Sequence, residues 1–451
     1  MAKELLARRL AEFVTDVSYQ NLPEQVVEKM RLILLHNIGV ALAGRPTNAV
    51  AKAVTLSAGT VGPASLLTEK SRAQPGDAAF FNSVLIHGRA QDDVYMKASS
   101  HLGCTVLPAA LAVAEVEGRS GAELIAGLVA GYEVAASVAK SSSQEVTRRG
   151  FRATGLYGVI GAAAAAARLM DLNTDQVANA IAIATSFSAG LNQTWIDGSE
   201  EWRFQVGQCA RNGILAASLA RAGGTGAREA FEGKAGFLAA FTGRLDLVAE
   251  TGLELGHTWE TLCVTFKPHP VCACNQTPVE LLLRMLRAHP VQPADVAKLD
   301  LYMSPFEAIY PGINESGPFC DVGATLMSAQ YCLAAALSFG EVRLKHLYRF
   351  SDPTLSSLWP RIRIYPDESL GLNSCRIELI TTSGLTLQDK FTANSNTFNW
   401  SRTEVAALVR SLQPEMDINP KQLEDLIGAI LDVNQLASLE PLLTLTVADN
   451  C

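Results

Sequence analysis

Apolar positions recur with a helical period along most of the chain. Leu5, Leu6, Leu10, Phe13 and Val14 mark a first amphipathic helix over residues 3–18. Val26, Val27, Met30, Ile33, Leu34, Ile38 and Val40 mark a second, with Pro23 at its first turn and Gly44 and Pro46 behind it as a stop. Residues 77–87 keep the period through Phe80, Phe81, Val84 and Leu85, whereas 50–70 read as a short link. A further apolar helix starts at Gly103, and 121–139, 161–167, 177–186, 208–222 and 229–241 extend the helical run. The small side chains of 161–167, GAAAAAA, suit close helix packing. Gly223-Gly224-Thr225-Gly226 marks a turn that follows no strand, so a phosphate-binding loop is not expected there.

Near residue 265 the pattern changes. Residues 298–303 alternate as KLDLYM, 361–365 read as a short strand, and 376–382 with 385–391 flank Ser383-Gly384 as a hairpin. Helices are expected at 278–288, 324–338 and 340–348, and helix returns after Ser401 or Thr403 as cap. The expected fold is mainly α. A large all-helical domain, residues 1–265 plus 401–451, carries a smaller inserted α+β lid domain, residues 266–400.

A chain of 451 residues is long enough for two cores. With 48% hydrophobic and 18% charged residues it is a globular chain rather than a disordered one. A net charge of −8 offers no basic face for nucleic acid, so any cationic site is local. Nine cysteines show no disulfide-framework spacing, and the first residues, MAKELLARRLAEFV, carry charge where a signal peptide needs an apolar core. A cytoplasmic chain is expected. The longest apolar runs read as too short or too interrupted for a membrane segment.

The chemistry concentrates in residues 87–115, HGRAQDDVYMKASSHLGCTVLPAALAVAE, where Asp92, Asp93 and His101 precede the helix that opens at Gly103. Polar groups on a loop held by a buried helix are a common catalytic arrangement. His36, on a largely apolar helix, reads as a core residue. His269, Cys272 and Cys274 lack a usual zinc spacing, so no metal is expected. Asn275 and Gln276 read as a helix start that also borders the cleft.

Several stretches together resemble the MmgE/PrpD family, which includes 2-methylcitrate dehydratases, cis-aconitate decarboxylases and iminodisuccinate epimerases. They are His87 with an acid pair five and six residues on, His101-x-Gly-x-x-x-Pro-Ala-x-Leu-Ala-x-Ala-Glu, Gly131-Tyr132-Glu133-Val134, Gly150-Phe151-Arg152-Ala153-Thr154-Gly155, the glycines at 207 and 213, and Lys267-Pro268-His269-Pro270. The resemblance implies a homodimer and an active site between two domains, which binds a small carboxylic acid and uses neither metal nor organic cofactor. Position by position, His87, Asp92 and Asp93 match the family's His-x-x-Asp-x-Asp-Asp, but Ala90 stands where its first aspartate belongs. Arg152 replaces a family histidine, and Trp202, beside Arg203, falls where the family has a lysine.

These matches imply His101 as acid or base, Asp93 as its orienting partner and Lys267 as the retained cation of the reaction. His87, Asp92, Arg152, Trp202, Arg203 and His269 are the expected substrate contacts. An arginine cannot take a proton at neutral pH but can grip a carboxylate through two N–H groups; the alternative is a surface arginine beside a loop glycine. The expected activity is that of a cofactor-independent lyase, a dehydratase or decarboxylase that removes a proton next to a carboxylate. The departures at Ala90, Arg152 and Trp202 keep an epimerase, isomerase or cyclising enzyme open, and also a non-catalytic binding or assembly protein. Convergence of His101, Asp93, Arg152 and Lys267 on one pocket would separate the enzymes from the last.

Overall fold

The computed structural model describes residues 5–448 apart from 46, 58, 60 and 250; the stop at Pro46 and the charges at Lys3 and Glu4 lie outside the described residues. Helices Leu6–Asp16 and Glu24–Leu42 open the chain, the second preceded by Pro23 at its N-cap. The stretch read as a link contains a helix, Asn48–Ser57, and a two-stranded ribbon in which Ala64 faces Ala73. Alanines and valines at Ala49, Val50 and Ala53 bury one face of that helix, a stripe too short to stand out in the sequence.

Pro75–His87, Gly103–Val116, Gly121–Arg148, Ala153–Leu169 and Glu201–Arg221 form the centre of the molecule. A Ser120/Glu123 capping box starts Gly121–Arg148. That helix has 28 residues and, by length and composition, could cross a membrane, which the sequence reading did not anticipate; its most apolar window is 89% buried by other helices. It meets Ala153–Leu169 where a Cβ on Gly131 would lie 2.7 Å from the Gly161 carbonyl oxygen, so the small residues set the helix separation. Pro108 lies inside Gly103–Val116 and lacks the N–H that would bond Cys104; the Ser83 hydroxyl donates to that carbonyl instead.

Residues 229–241 are not one helix. Gly233 and Gly236 break the period, and only Phe237–Thr242 is helical. Likewise the run expected at 324–338 is interrupted at Ser328, which takes an extended backbone and caps Ala329–Phe339 through its hydroxyl. Within the helix expected at 340–348 only Leu344–Leu347 is helical.

A four-stranded sheet has the order Ile362–Pro366, Val296–Met303, Cys375–Thr381, Thr386–Phe391. The first pair is parallel, Leu299 opposite Ile362, and the others antiparallel, Leu299 opposite Leu379 and Leu379 opposite Leu387. Its apolar face and the helices Gln276–Ala288 and Ala329–Phe339 form one hydrophobic cluster, while the large helical cluster takes in both ends of the chain, from Leu6 to Phe266 and from Val405 to Leu443. Three residues from the helical part of the sequence, Ala90, Trp195 and Trp202, belong to the sheet-side cluster. They mark the seam where the site lies.

Candidate active site

A strand pair and a side-chain amide bring distant polar residues to the loop after His87. Val94 and Tyr95 pair antiparallel with Thr265 and Val264, two residues ahead of Lys267. The Gln91 side-chain amide donates to the carbonyls of Lys267, at 3.2 Å, and Pro268, at 2.8 Å. Lys267 is thereby fixed beside the loop although 175 residues separate it from Asp92 in the chain.

His87, His101, Arg152 and Lys267 line one cavity of about 40 Å³, together with Thr154, Trp195, Cys272, Cys274, Tyr310 and Met327. Ala90 completes its wall with φ of +53°. The convergence that the enzyme readings require thus holds for three of the four residues named for it. The fourth, Asp93, turns elsewhere: its carboxylate accepts the Gly103 N–H at 2.8 Å and the Tyr132 hydroxyl at 2.8 Å. A Cβ on residue 103 would stand 2.4 Å from Asp93 Oδ1, so glycine is required at this close approach.

Asp92 takes the orienting position instead. Its Oδ1 lies 2.7 Å from His87 Nδ1 and its Oδ2 3.3 Å from His101 Nδ1. Arg152 has only donors and its Nη2 lies 2.7 Å from His87 Nε2, so that nitrogen accepts and Nδ1–H donates to Asp92. His101 Nδ1 faces two acceptors, the Asp93 carbonyl at 3.1 Å and the Asp92 carboxylate, and therefore carries its proton. The lone pair of neutral His101 is on Nε2, which makes no hydrogen bond to the described residues. Thr154 holds the backbone, its hydroxyl oxygen accepting the His101 N–H at 3.1 Å.

The charges follow from burial. Desolvation opposes an ionised Asp92, but His87 and His101 outweigh it and hold the carboxyl well below its usual range. Burial and the charge of Asp92 push Asp93 up to about 7. Burial lowers His87 to about 3, so its imidazole is neutral. His101 is lowered by burial and by the Lys267 charge. Burial lowers Lys267 and Arg152 as well. Neither cation has a carboxylate within salt-bridge distance among the described residues: Lys267 Nζ donates to the Ala90 and Val271 carbonyls at 2.7 and 3.3 Å, and Arg152 Nη1 to the Trp202 carbonyl at 2.5 Å. Two buried cations without a counter-ion make this cavity a place for an anion.

Asp92, Trp202, Arg203 and His269, expected to touch substrate, do not line the cavity. The Trp202 ring supports His87 edge-on at 4.9 Å, and Arg203 lies 3.9 Å over that same ring while donating to the Gly88 carbonyl. Their bulk is used for packing. His269 pairs with Glu280 at 2.7 Å. Trp195, Thr154, Cys272, Cys274 and Tyr310 line the cavity without having been singled out for it. The sequence did contain Thr154, beside Arg152, and Trp195, near Trp202, but nothing in spacing pointed to Tyr310.

His87, Asp92 and Cys104 bring a nitrogen, an oxygen and a sulfur within 4.8 Å of one another. Both His87 nitrogens are already engaged, Nδ1 with Asp92 and Nε2 with Arg152, so the cluster is poorly prepared to ligate a cation. His269, Cys272 and Cys274 do not gather either, since His269 faces Glu280.

The N-terminal domain family of MmgE/PrpD matches residues 8–249 and its C-terminal domain family matches residues 269–399. The chain belongs to the MmgE/PrpD family. Its relatives include the cis-aconitate decarboxylase-like protein oryM of Aspergillus oryzae, 28% identical over 74% of this chain and 74% of the relative. The cis-aconitate decarboxylase of Aspergillus terreus is 26% identical over 78% and 75%, and that of Homo sapiens 24% identical over 99% and 95%. Within this MmgE/PrpD chain, the seam between the two hydrophobic clusters falls close to the boundary between the two matched families.

Proposed function

We propose that this protein is a lyase that transfers a proton at a carbon next to a carboxylate of a small organic acid and expels carbon dioxide or water. Arg152 and Lys267 hold carboxylate oxygens and carry the negative charge that develops on them as electrons move toward the carboxylate. His101 Nε2 takes the proton where water is expelled and, as imidazolium, gives a proton to carbon where carbon dioxide is expelled, and Asp92 stabilises that imidazolium in both cases. His87 links Asp92 to Arg152, so that base and cation keep one relative position. The names of the relatives favour decarboxylation of an unsaturated acid over dehydration. The observation that carries the reading is the bridge of Asp92 between two histidines in a cavity that also holds two cations lacking carboxylate partners.

The test is proton NMR in deuterium oxide with cis-aconitate, 2-methylcitrate and iminodisuccinate. Loss of substrate signal with new alkene signals is the expected result. Deuterium uptake at the acidic carbon without loss of any group would replace the lyase by an epimerase, and inertness toward these acids and toward their alkyl-substituted homologues would remove the enzymatic reading.

A further inference from the structure

A second cavity, of about 300 Å³, lies on the other side of Lys267, and its walls share Lys267 and Ala273 with the cavity just described. At about 40 Å³ the first has room for the reacting head of a small acid and not for an extended tail. The second, at roughly 10–15 Å³ of such space for each water, holds on the order of twenty groups of that size. Its inner wall is apolar, with Val94, Met96, Leu262, Phe266 and Phe398, and amide side chains of Asn394 and Asn396 stand at its mouth. The strand pair that positions Lys267, Val94–Tyr95 against Val264–Thr265, forms part of the same wall, and Phe266 N–H donates to the Phe398 carbonyl at 2.9 Å to close it.

Charge decides which end of a substrate belongs here. Apart from Lys267, the cation in this wall is Lys97, which is already paired with Glu260 at 2.7 Å. Lys29, which has no carboxylate partner among the described residues, stands behind this wall rather than in it, donating to Asn399 at 2.6 Å and lying 4.3 Å over the Phe266 ring. A second carboxylate would therefore find no unpaired charge in the lining beyond Lys267, while an alkyl or other neutral chain would meet apolar surface. We infer that the substrate is a carboxylic acid bearing a neutral, mainly apolar tail, whose carboxylate end reacts beside His101 while the tail occupies the cavity behind Lys267. This rests on the carboxylate reading of the first cavity and narrows its substrate class from compact polycarboxylates to tailed ones.

Titration calorimetry of the full chain with succinate and with butyl-, hexyl- and octylsuccinate tests it. Affinity is expected to rise by about fourfold for each methylene buried, until the cavity is full. Cys263, a half-buried free thiol in the cavity wall, offers the blocking variant Cys263→Phe, in which the rise with chain length should flatten. Asn396→Trp, at the exposed mouth, serves the same purpose where Cys263→Phe does not fold. Succinate binding without a gain from the chain, or a gain that survives both variants, would overturn the tail site and leave the proposed chemistry standing. Absence of binding by every acid, succinate included, would remove the carboxylate reading and this inference with it.

Discussion

Asp92 and Asp93 are adjacent in the chain, yet Asp92 Oδ1 lies 2.7 Å from His87 Nδ1 while Asp93 Oδ1 accepts the Gly103 N–H at 2.8 Å. One carboxylate serves the cavity and the other ties the loop to the helix behind it. The two asparagine variants should therefore fail in different ways.

In Asp92→Asn the amide nitrogen can replace only one carboxylate oxygen, and it then faces a histidine N–H with another donor. If that histidine is His101, its proton is driven to Nε2 and the base is lost. The expected result is a fall in kcat of roughly 10²- to 10⁴-fold with a melting temperature close to that of the parent. A kcat within about tenfold of the parent would show that His101 does not depend on Asp92.

Asp93→Asn should report on stability. The folded-state value near 7 lies above the ordinary 3.8, so the protonated form is the one favoured by folding. Its contribution is complete below pH 3.8 and is lost as pH rises toward 7. Denaturant titrations from pH 4 to 8 should show the parent losing on the order of a few kcal/mol more than the variant across that window. Glu133, also raised to about 7 by burial, contributes to both proteins and cancels in the difference. Parallel pH curves would assign the parent's loss entirely to other groups.

Much of this arrangement could be read in the sequence, because short-range spacing placed His87, Asp92 and His101 on one loop and a helical period placed the scaffold. The hairpin at Ser383-Gly384 and the strand 298–303 were legible for the same reason. What spacing could not give was the direction of a side chain. The choice between Asp92 and Asp93 depends on Tyr132, about 40 residues away, whose hydroxyl reaches Asp93 Oδ2 at 2.8 Å. Trp202 looked like a substrate contact because of where it falls in the family pattern, but its indole is fully buried under His87. Tyr310 reaches the cavity only through the sheet-side cluster, and no local pattern encodes that approach.

The pH profile of kcat/KM should be bell-shaped. For dehydration His101 must be neutral to accept a proton, and burial with the Lys267 charge lowers it, so the acid limb is expected below pH 6.5; decarboxylation needs the imidazolium and would lose activity as pH rises over that same range. Lys267 must be charged to hold a carboxylate, and burial lowers it, so activity should decline before pH 10.5. An acid limb above pH 6.5 would point to a different base.

Lys267→Met keeps the length of the side chain and removes the charge. Loss of one charged hydrogen bond to a carboxylate corresponds to a rise in KM of roughly ten- to a hundredfold. Because the Nζ donors to Ala90 and Val271 also disappear, circular dichroism should accompany the kinetics. An unchanged KM on the acid identified by NMR would place its carboxylate away from Lys267.

Arg152→Lys asks whether charge or geometry matters at this position. The guanidinium donates through Nη2 to His87 Nε2 at 2.7 Å and through Nη1 to the Trp202 carbonyl at 2.5 Å, and it lies 5.0 Å over the Trp195 ring. A lysine carries the same charge on one nitrogen, which cannot span these partners and a substrate together. Without the Arg152 donor, His87 can shift its proton to Nε2 and withdraw its hydrogen bond from Asp92, which loosens the support of His101. kcat/KM should fall by about 10- to 100-fold, with kcat affected as well as KM. A change confined to KM would mean that Arg152 acts on the substrate carboxylate alone, and that the His87 link carries no part of the chemistry.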